Sequence, residues 1–438
     1  MSRGDEARPD AGHLIHDWNA GAARPRPAQP FDLNDETLRD GVQSPSVVDP
    51  GIDDKLELLE LMDALSIRSV NIGLPGAGKR AFDDVVAQAR FIKSKKLKLL
   101  PNCAARTVAQ DIRPVAEASQ KAGIPITVYT FIGSSPIRQW AEDWSLDFIK
   151  KTSADAIAFA VKEGLEVAYV TEDTTRSRPE SLEVLFQSAL DAGASRLVLC
   201  DTVGHATPEG TAALVGWTRA LLARLGSDAA IDWHGHNDRG LAVQNALAAL
   251  EAGAQRLHAC GLGVGERVGN TSMDQLLLNL KLMGWIDTDV TRLVEYVRKV
   301  SQATKVAIPV NYPLSGSDAF RTATGVHAAA IIKAKRKGDD WLADRVYSGV
   351  PAGLFGRQQD IEIGHMSGMS NVRYWLEQRK LPVTDEVCQR ILARAKSTSW
   401  TLSEREVMAL ARPPKRAAAK PRAKAKKSVK RRGAAARA

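Results

Sequence analysis

The sequence predicts an α/β protein, a (β/α)8 TIM barrel followed by a smaller, mainly helical C-terminal domain. Three observations carry that expectation. Eight short apolar runs alternate with helix-compatible stretches over about 250 residues, the size of one such barrel. Four of the intervening stretches close on a glycine, and motifs rich in charge or imidazole fall where strands should end.

The runs are residues 31–38, 69–73, 97–100, 126–132, 166–170, 196–200, 231–233 and 256–260. The glycines are Gly123, Gly164, Gly193 and Gly253, where a left-handed helix C-cap needs a residue without Cβ. After the first run, Leu56, Leu59, Met62 and Leu65 recur at helical spacing. Beyond residue 286 the alternation stops and the chain becomes helical and loop-rich. The expected organisation is an N-terminal arm over 1–28, in which Leu14, Ile15 and Trp18 can pack on a neighbour, a catalytic barrel over 29–285, a helical lid or dimerisation subdomain over 286–411, and a disordered basic tail over 412–438.

The formal charge of +9 is a property of that tail, which holds twelve Lys or Arg and no acid and leaves 9 − 12 = −3 for the rest. The charge therefore does not mark a nucleic-acid-binding face on the folded part. Four scattered cysteines without a C-x-x-C pair fit a reducing compartment. No signal-peptide core and no long apolar run occurs, so a soluble, cytoplasmic protein without a membrane partner is expected.

The first run leads into Asp35-Glu36-Thr37-Leu38-Arg39-Asp40-Gly41-Val42-Gln43, which leaves a guanidinium and a carboxylate side by side at a strand end. Alone, such a pair reads as a solvated surface contact. Its expected neighbours change that. The seventh run ends in Trp233-His234-Gly235-His236-Asn237-Asp238, and alternation along a strand points both imidazoles to one side. The eighth leads into Gly261-Leu262-Gly263-Val264-Gly265-Glu266-Arg267-Val268-Gly269-Asn270. Because first and eighth strands adjoin in a closed barrel, Asp40, His234 and His236 can converge as a metal set, with the amide oxygen of Asn270 in reach. His258 and His13 read as packed or solvated residues.

Two glycine-rich stretches are decoys. Gly73–Arg80 imitates a phosphate-binding loop but has Arg80 where Ser or Thr would hold magnesium, and the glycines at 261, 263 and 265 have the wrong spacing for a dinucleotide site. Downstream, His327 opens an apolar-periodic stretch and Tyr347 sits in a loop with Pro and Gly.

These motifs, in order Asp35–Gln43, His234–Asp238, Gly263–Asn270 and Gly325-Val326-His327, resemble the metal-dependent Claisen-condensing synthases of the DRE-TIM metallolyase superfamily, most nearly the 2-isopropylmalate synthases, over roughly residues 31–375. The resemblance implies a divalent metal, Mg, Mn or Zn, held by Asp40, His234, His236 and Asn270. It implies catalytic roles for Arg39, Glu172, His327 and Tyr347, and substrate binding by Thr202. Tyr129 and Arg138 stand where many isopropylmalate synthases have histidines and are carried as substrate-binding residues. Acetyl-CoA and a 2-oxo acid are the implied substrates, and a homodimer is implied because the small-domain His and Tyr come from the neighbouring subunit in that family.

Within the superfamily, Cys200 replaces the lysine of biotin-dependent carboxyltransferases, and Val264-Gly265-Glu266 lacks the lyases' reactive cysteine. Ala168 stands where homocitrate synthases carry an arginine for the distal carboxylate. The resemblance therefore points to 2-oxoisovalerate and 2-isopropylmalate, a reaction of leucine biosynthesis, with citramalate synthase acting on pyruvate or homocitrate synthase acting on 2-oxoglutarate as the alternatives. A leucine-sensing C-terminal domain is not expected. A non-enzymatic alternative makes the tail a binder of nucleic acid or another polyanion, but no base-stacking or base-reading residues accompany its cations. A 2-His-1-carboxylate iron oxygenase shares the ligand set and not the Arg39 and Glu266 motifs.

Overall fold

The computed structural model describes residues 11–19 and 26–412. Most of the expected tail, residues 413–438, and parts of the expected arm, 1–10 and 20–25, lie outside the described residues.

Eight parallel strands close into a barrel: β1 (Asp32–Asp35), β2 (Ser69–Asn71), β3 (Leu100–Arg106), β4 (Thr127–Gly133), β5 (Val167–Glu172), β6 (Arg196–Asp201), β7 (Ala230–Gly235) and β8 (Arg256–Ala259). Closure sets β1 beside β8, with Asp32 opposite Arg256 and Asp35 opposite Ala259. The expected architecture holds, with one strand misplaced. Residues 97–99 form no strand; they follow Lys96, which ends the preceding helix in the left-handed conformation, and β3 begins at Leu100. Its Pro101, Asn102 and small residues gave little apolar signal, because Asn102 faces a polar interior and donates to Asn34 Oδ1 at 2.7 Å and Ser69 Oγ at 3.0 Å.

The barrel helices bury one stripe each. Lys79–Lys95 turns Val85, Ala89 and Ile92 inward, and Pro179–Asp191 turns in Leu182, Leu185, Phe186 and Ala189. All four anticipated glycines have positive φ, and Gly123 closes its helix by donating to the Ser119 carbonyl at 2.8 Å. Among the described residues no helix is long and apolar enough to cross a membrane.

The chain divides into two compact units. Of the described residues, one comprises those up to Arg321 together with Ala334–Asp360, the other Thr322–Lys333 and those from Ile361 onward. Helices Met273–Leu282 and Leu293–Thr304 belong to the first, adding Leu276, Leu277, Val297 and Val300 to the barrel's core. The second has its own core of Ile363, Val372, Trp375, Leu376, Ile391 and Leu402 under helices Met369–Gln378, Asp385–Lys396 and Glu404–Ala411. Ser403 and Glu406 form a reciprocal cap at the start of the last helix.

Candidate metal and substrate site

The turn after β1 is set by Glu36, whose carbonyl accepts from the Arg39 and Gly41 amides at 3.1 and 3.0 Å. That turn delivers Arg39 and Asp40 to the carboxyl end of the barrel. The Glu36 side chain, 1% exposed, then accepts from Arg39 Nε at 2.9 Å, and Arg39 also pairs with Asp40 Oδ1 at 3.3 Å. From β7 and the residue after it, His234 and His236 present their Nε2 atoms 3.2 and 3.5 Å from Asp40 Oδ2 and 3.3 Å from each other.

Three buried acceptor-type atoms facing one another fit a cation. Burial alone would raise the Asp40 pKa, but Arg39 and the two imidazoles hold it well below the usual range. Burial, then the neighbouring His234, lowers His236 to about 4, keeping it neutral with a lone pair to give. Asn270 stands beside His236 with a buried, unpartnered amide oxygen. It bridges His236 in backbone register, and its Nδ2 donates to the Val264 carbonyl at 3.0 Å, so its buried Oδ1 is left without a hydrogen bond, as is Asp40 Oδ2. Gly265 is required here, since a Cβ would lie 2.1 Å from Asn270 Nδ2.

The triad opens onto a cavity of about 250 Å³ lined also by Arg39, Glu172, Thr202, Tyr129, His258 and Glu266. A family model described as HMGL-like matches residues 31–306, more than half of the chain. The chain belongs to the HMGL-like family. That places it in the metal-dependent DRE-TIM metallolyase superfamily. It is 31% identical over 365 residues to a probable 2-isopropylmalate synthase of Methanopyrus kandleri, covering 83% of this chain and 68% of that one. It is 32% identical over 368 residues to the homocitrate synthase AksA of the same organism, covering 83% and 86%. The HMG-CoA lyase of Brucella melitensis superposes with a TM-score of 0.52 at 18% identity, covering 64% of this chain and 100% of that one, a likeness of fold alone.

Other residues expected in this family member's site take distinct places. Thr202 lines the cavity, and its hydroxyl oxygen accepts from the Asp173 amide at 2.8 Å, which leaves its own O–H to donate. Burial raises the pKa of Glu172, with Arg138 and Arg39 opposing it. Arg138 does not line the cavity; it pairs with Glu142 at 3.1 Å and is half exposed. Tyr129 offers its ring, because its hydroxyl donates to Asp232 Oδ2 at 3.1 Å and accepts from Arg256 at 2.8 Å. Tyr347 is 47% exposed in a loop of the first unit, whereas His327 lies near the start of a helix and belongs to the second.

Sequence reasoning passed over Glu36, Asp232 and Arg267. Asp232 stands two residues before His234 and so faces the same interior, a signal that alternation alone contained. His258 is packed, as expected, yet also lines the cavity, its ring nitrogens 3.3 Å from Glu36 and 3.1 Å from Asp232. Arg267, at φ +57, ties three loops together through Asp238 at 2.8 Å and the Thr202 carbonyl at 2.7 Å.

Proposed function

We propose that this protein is an acyltransferase that condenses acetyl-CoA with a small branched 2-oxo acid, 2-oxoisovalerate, to give 2-isopropylmalate, as in leucine biosynthesis. The observation that carries the choice of substrate is the apolar part of the lining of the triad's cavity, a wall of Tyr129, Val170, Val198 and Cys200. Tyr129, Ala168, Val198 and Cys200 form a small cluster of their own, with Val170 packed on it, apart from the main core. Arg39 is the one Lys or Arg among the described residues lining the cavity, and burial lowers the pKa of His258. Arg39 is paired with Glu36 and Asp40, and His258 lies between Glu36 and Asp232. A second carboxylate on the substrate, as in 2-oxoglutarate, would enter that wall without a partner, which is costly. An isopropyl group would be buried favourably.

A divalent ion, Mg, Mn or Zn, held by Asp40, His234, His236 and Asn270 would polarise the ketone and anchor the carboxylate of the 2-oxo acid. The Thr202 hydroxyl donates to that carboxylate. Arg39, fixed by Glu36, presents N–H groups to the oxygen that becomes negative when the ketone is attacked. The attacking carbon arises when a base removes a proton from the acetyl methyl; His327 assisted by Tyr347 has that role by family resemblance, supplied by a second copy in a homodimer, with Glu172 orienting the groups. Water then cleaves the thioester and releases the coenzyme A thiol.

The test is thiol release from acetyl-CoA with pyruvate, 2-oxobutyrate, 2-oxoisovalerate and 2-oxoglutarate, with and without chelator, in the wild type and in His234→Ala. Expected is chelator-sensitive turnover fastest with 2-oxoisovalerate and reduced about a thousandfold in His234→Ala, with loss of metal binding by calorimetry. Fastest turnover with 2-oxoglutarate overturns the choice of substrate, and no release with any acid overturns the condensation.

A further inference from the structure

The amino-terminal mouth of the barrel, at the opposite strand ends from the metal triad, is also open. A cavity of about 440 Å³ lies there between the strand starts and the end of helix Lys79–Lys95, and its charged lining is Lys93, Lys96, Glu166, Arg196 and Arg256. In the described chain these cations outnumber the acid, and they are not equally satisfied. Each nitrogen of Arg256 is used, since Nε and one terminal nitrogen donate to Asp32 at 2.6 and 3.0 Å and the other donates to Tyr129. Arg196 donates to Asp232 alone among the described residues, through a single terminal nitrogen, so the rest of its planar fork is uncommitted. Lys93 and Lys96 are exposed and have no carboxylate partner among the described residues.

The one acid in the lining offsets only one of these four cations. Glu166 accepts from the hydroxyls of Ser195 at 3.1 Å and Thr127 at 3.3 Å. Burial and the neighbouring Arg256 oppose the charge on Arg196, but Asp232 favours it and the pKa stays raised, so the guanidinium is charged. A partly buried guanidinium, 17% exposed, beside a second guanidinium and two free ammonium groups has the composition of an oxyanion site. An anion there would relieve the repulsion between the two arginines and satisfy the idle N–H groups.

We propose that the amino-terminal mouth of the barrel binds a small oxyanion in the free fork of Arg196, with Lys93 and Lys96 completing its charge balance. The proposal is independent of the reaction at the other end. Inorganic sulfate and an organic carboxylate share the chemistry and are separated by experiment. The thermal midpoint of the full chain is followed while sodium sulfate or, in parallel, disodium succinate replaces chloride at constant ionic strength. The wild type should show a rise that saturates with at least one of the two, and the stronger response names the source. The double variant Lys93→Glu, Lys96→Glu should keep its midpoint in chloride and lose the rise, and Arg196→Gln should lose it too. Should Arg196→Gln fail to fold, the lysine variant, altered only at exposed positions, still decides. A rise that grows linearly with the anion and is equal in wild type and lysine variant is a bulk salt effect and overturns the site, as does no rise with either. Crystals grown with selenate should show its anomalous peak beside Arg196; a peak only at Arg39 would also overturn it.

Discussion

The two halves of the barrel interior are built on opposite principles. On the β8–β1–β2–β3 side, polar groups fill the space. Asn102 donates to Asn34, and Asn34 and Asn71 donate to Glu36 at 2.6 and 3.4 Å. Glu36 in turn holds Arg39 and faces His258. On the β4–β5–β6 side, Tyr129, Ala168, Val198 and Cys200 make an apolar wall, and burial pushes the Cys200 thiol pKa far up, so it packs as an uncharged group. The polar half fixes a guanidinium and a carboxylate to a single geometry, which directional bonds do well. The apolar half is shaped and non-directional, suited to selecting an alkyl group by fit.

That contrast is open to attack by substitution. The largest effect is expected in the polar half. Glu36→Gln keeps the shape but removes the charge that anchors Arg39, so kcat/KM for condensation should fall about 10–100-fold with the fold retained by circular dichroism. An unchanged rate would show that Arg39 needs no anchor. In the apolar half the same kind of isosteric change should alter choice more than rate. Val198→Thr places a hydroxyl in the wall, and the preference for 2-oxoisovalerate over pyruvate should drop about tenfold, read from the ratio of kcat/KM values. Equal losses on both substrates would mean that the wall does not contact the side chain. The smallest effect on activity is expected where the halves meet. Tyr129→Phe leaves the ring in the wall and strips the hydroxyl between Asp232 and Arg256, so stability should fall by about 1–3 kcal/mol in denaturant titration. Substrate preference should stay the same. A changed preference without loss of stability would assign the hydroxyl to the substrate.

Much of this was legible from residue order. The motif after β1, the H-x-H of β7 and the Asn after β8 must meet if eight alternating units close, because strand direction puts every strand end on one rim. The glycine caps were equally plain, since Gly123, Gly164, Gly193 and Gly253 each mark a conformation that other residues resist. β3 was misplaced for the converse reason. Its inward Asn102 serves a polar interior, and a search for apolar runs passes over it.

What the sequence by itself determined is the alternation of eight strands with helices and their glycine caps, and with it the meeting of Asp40, His234 and His236 on one rim. Those follow from local periodicity and from backbone sterics, which act over a few residues. What only the tertiary structure decided is which partner each buried polar group takes. The commitment of the Tyr129 hydroxyl to Asp232 and Arg256, the clamp of Glu36 on Arg39, and the idle fork of Arg196 depend on side chains brought together from residues 32 to 256. Desolvation makes such pairings obligatory once the barrel closes, but it specifies a partner only through three-dimensional distance.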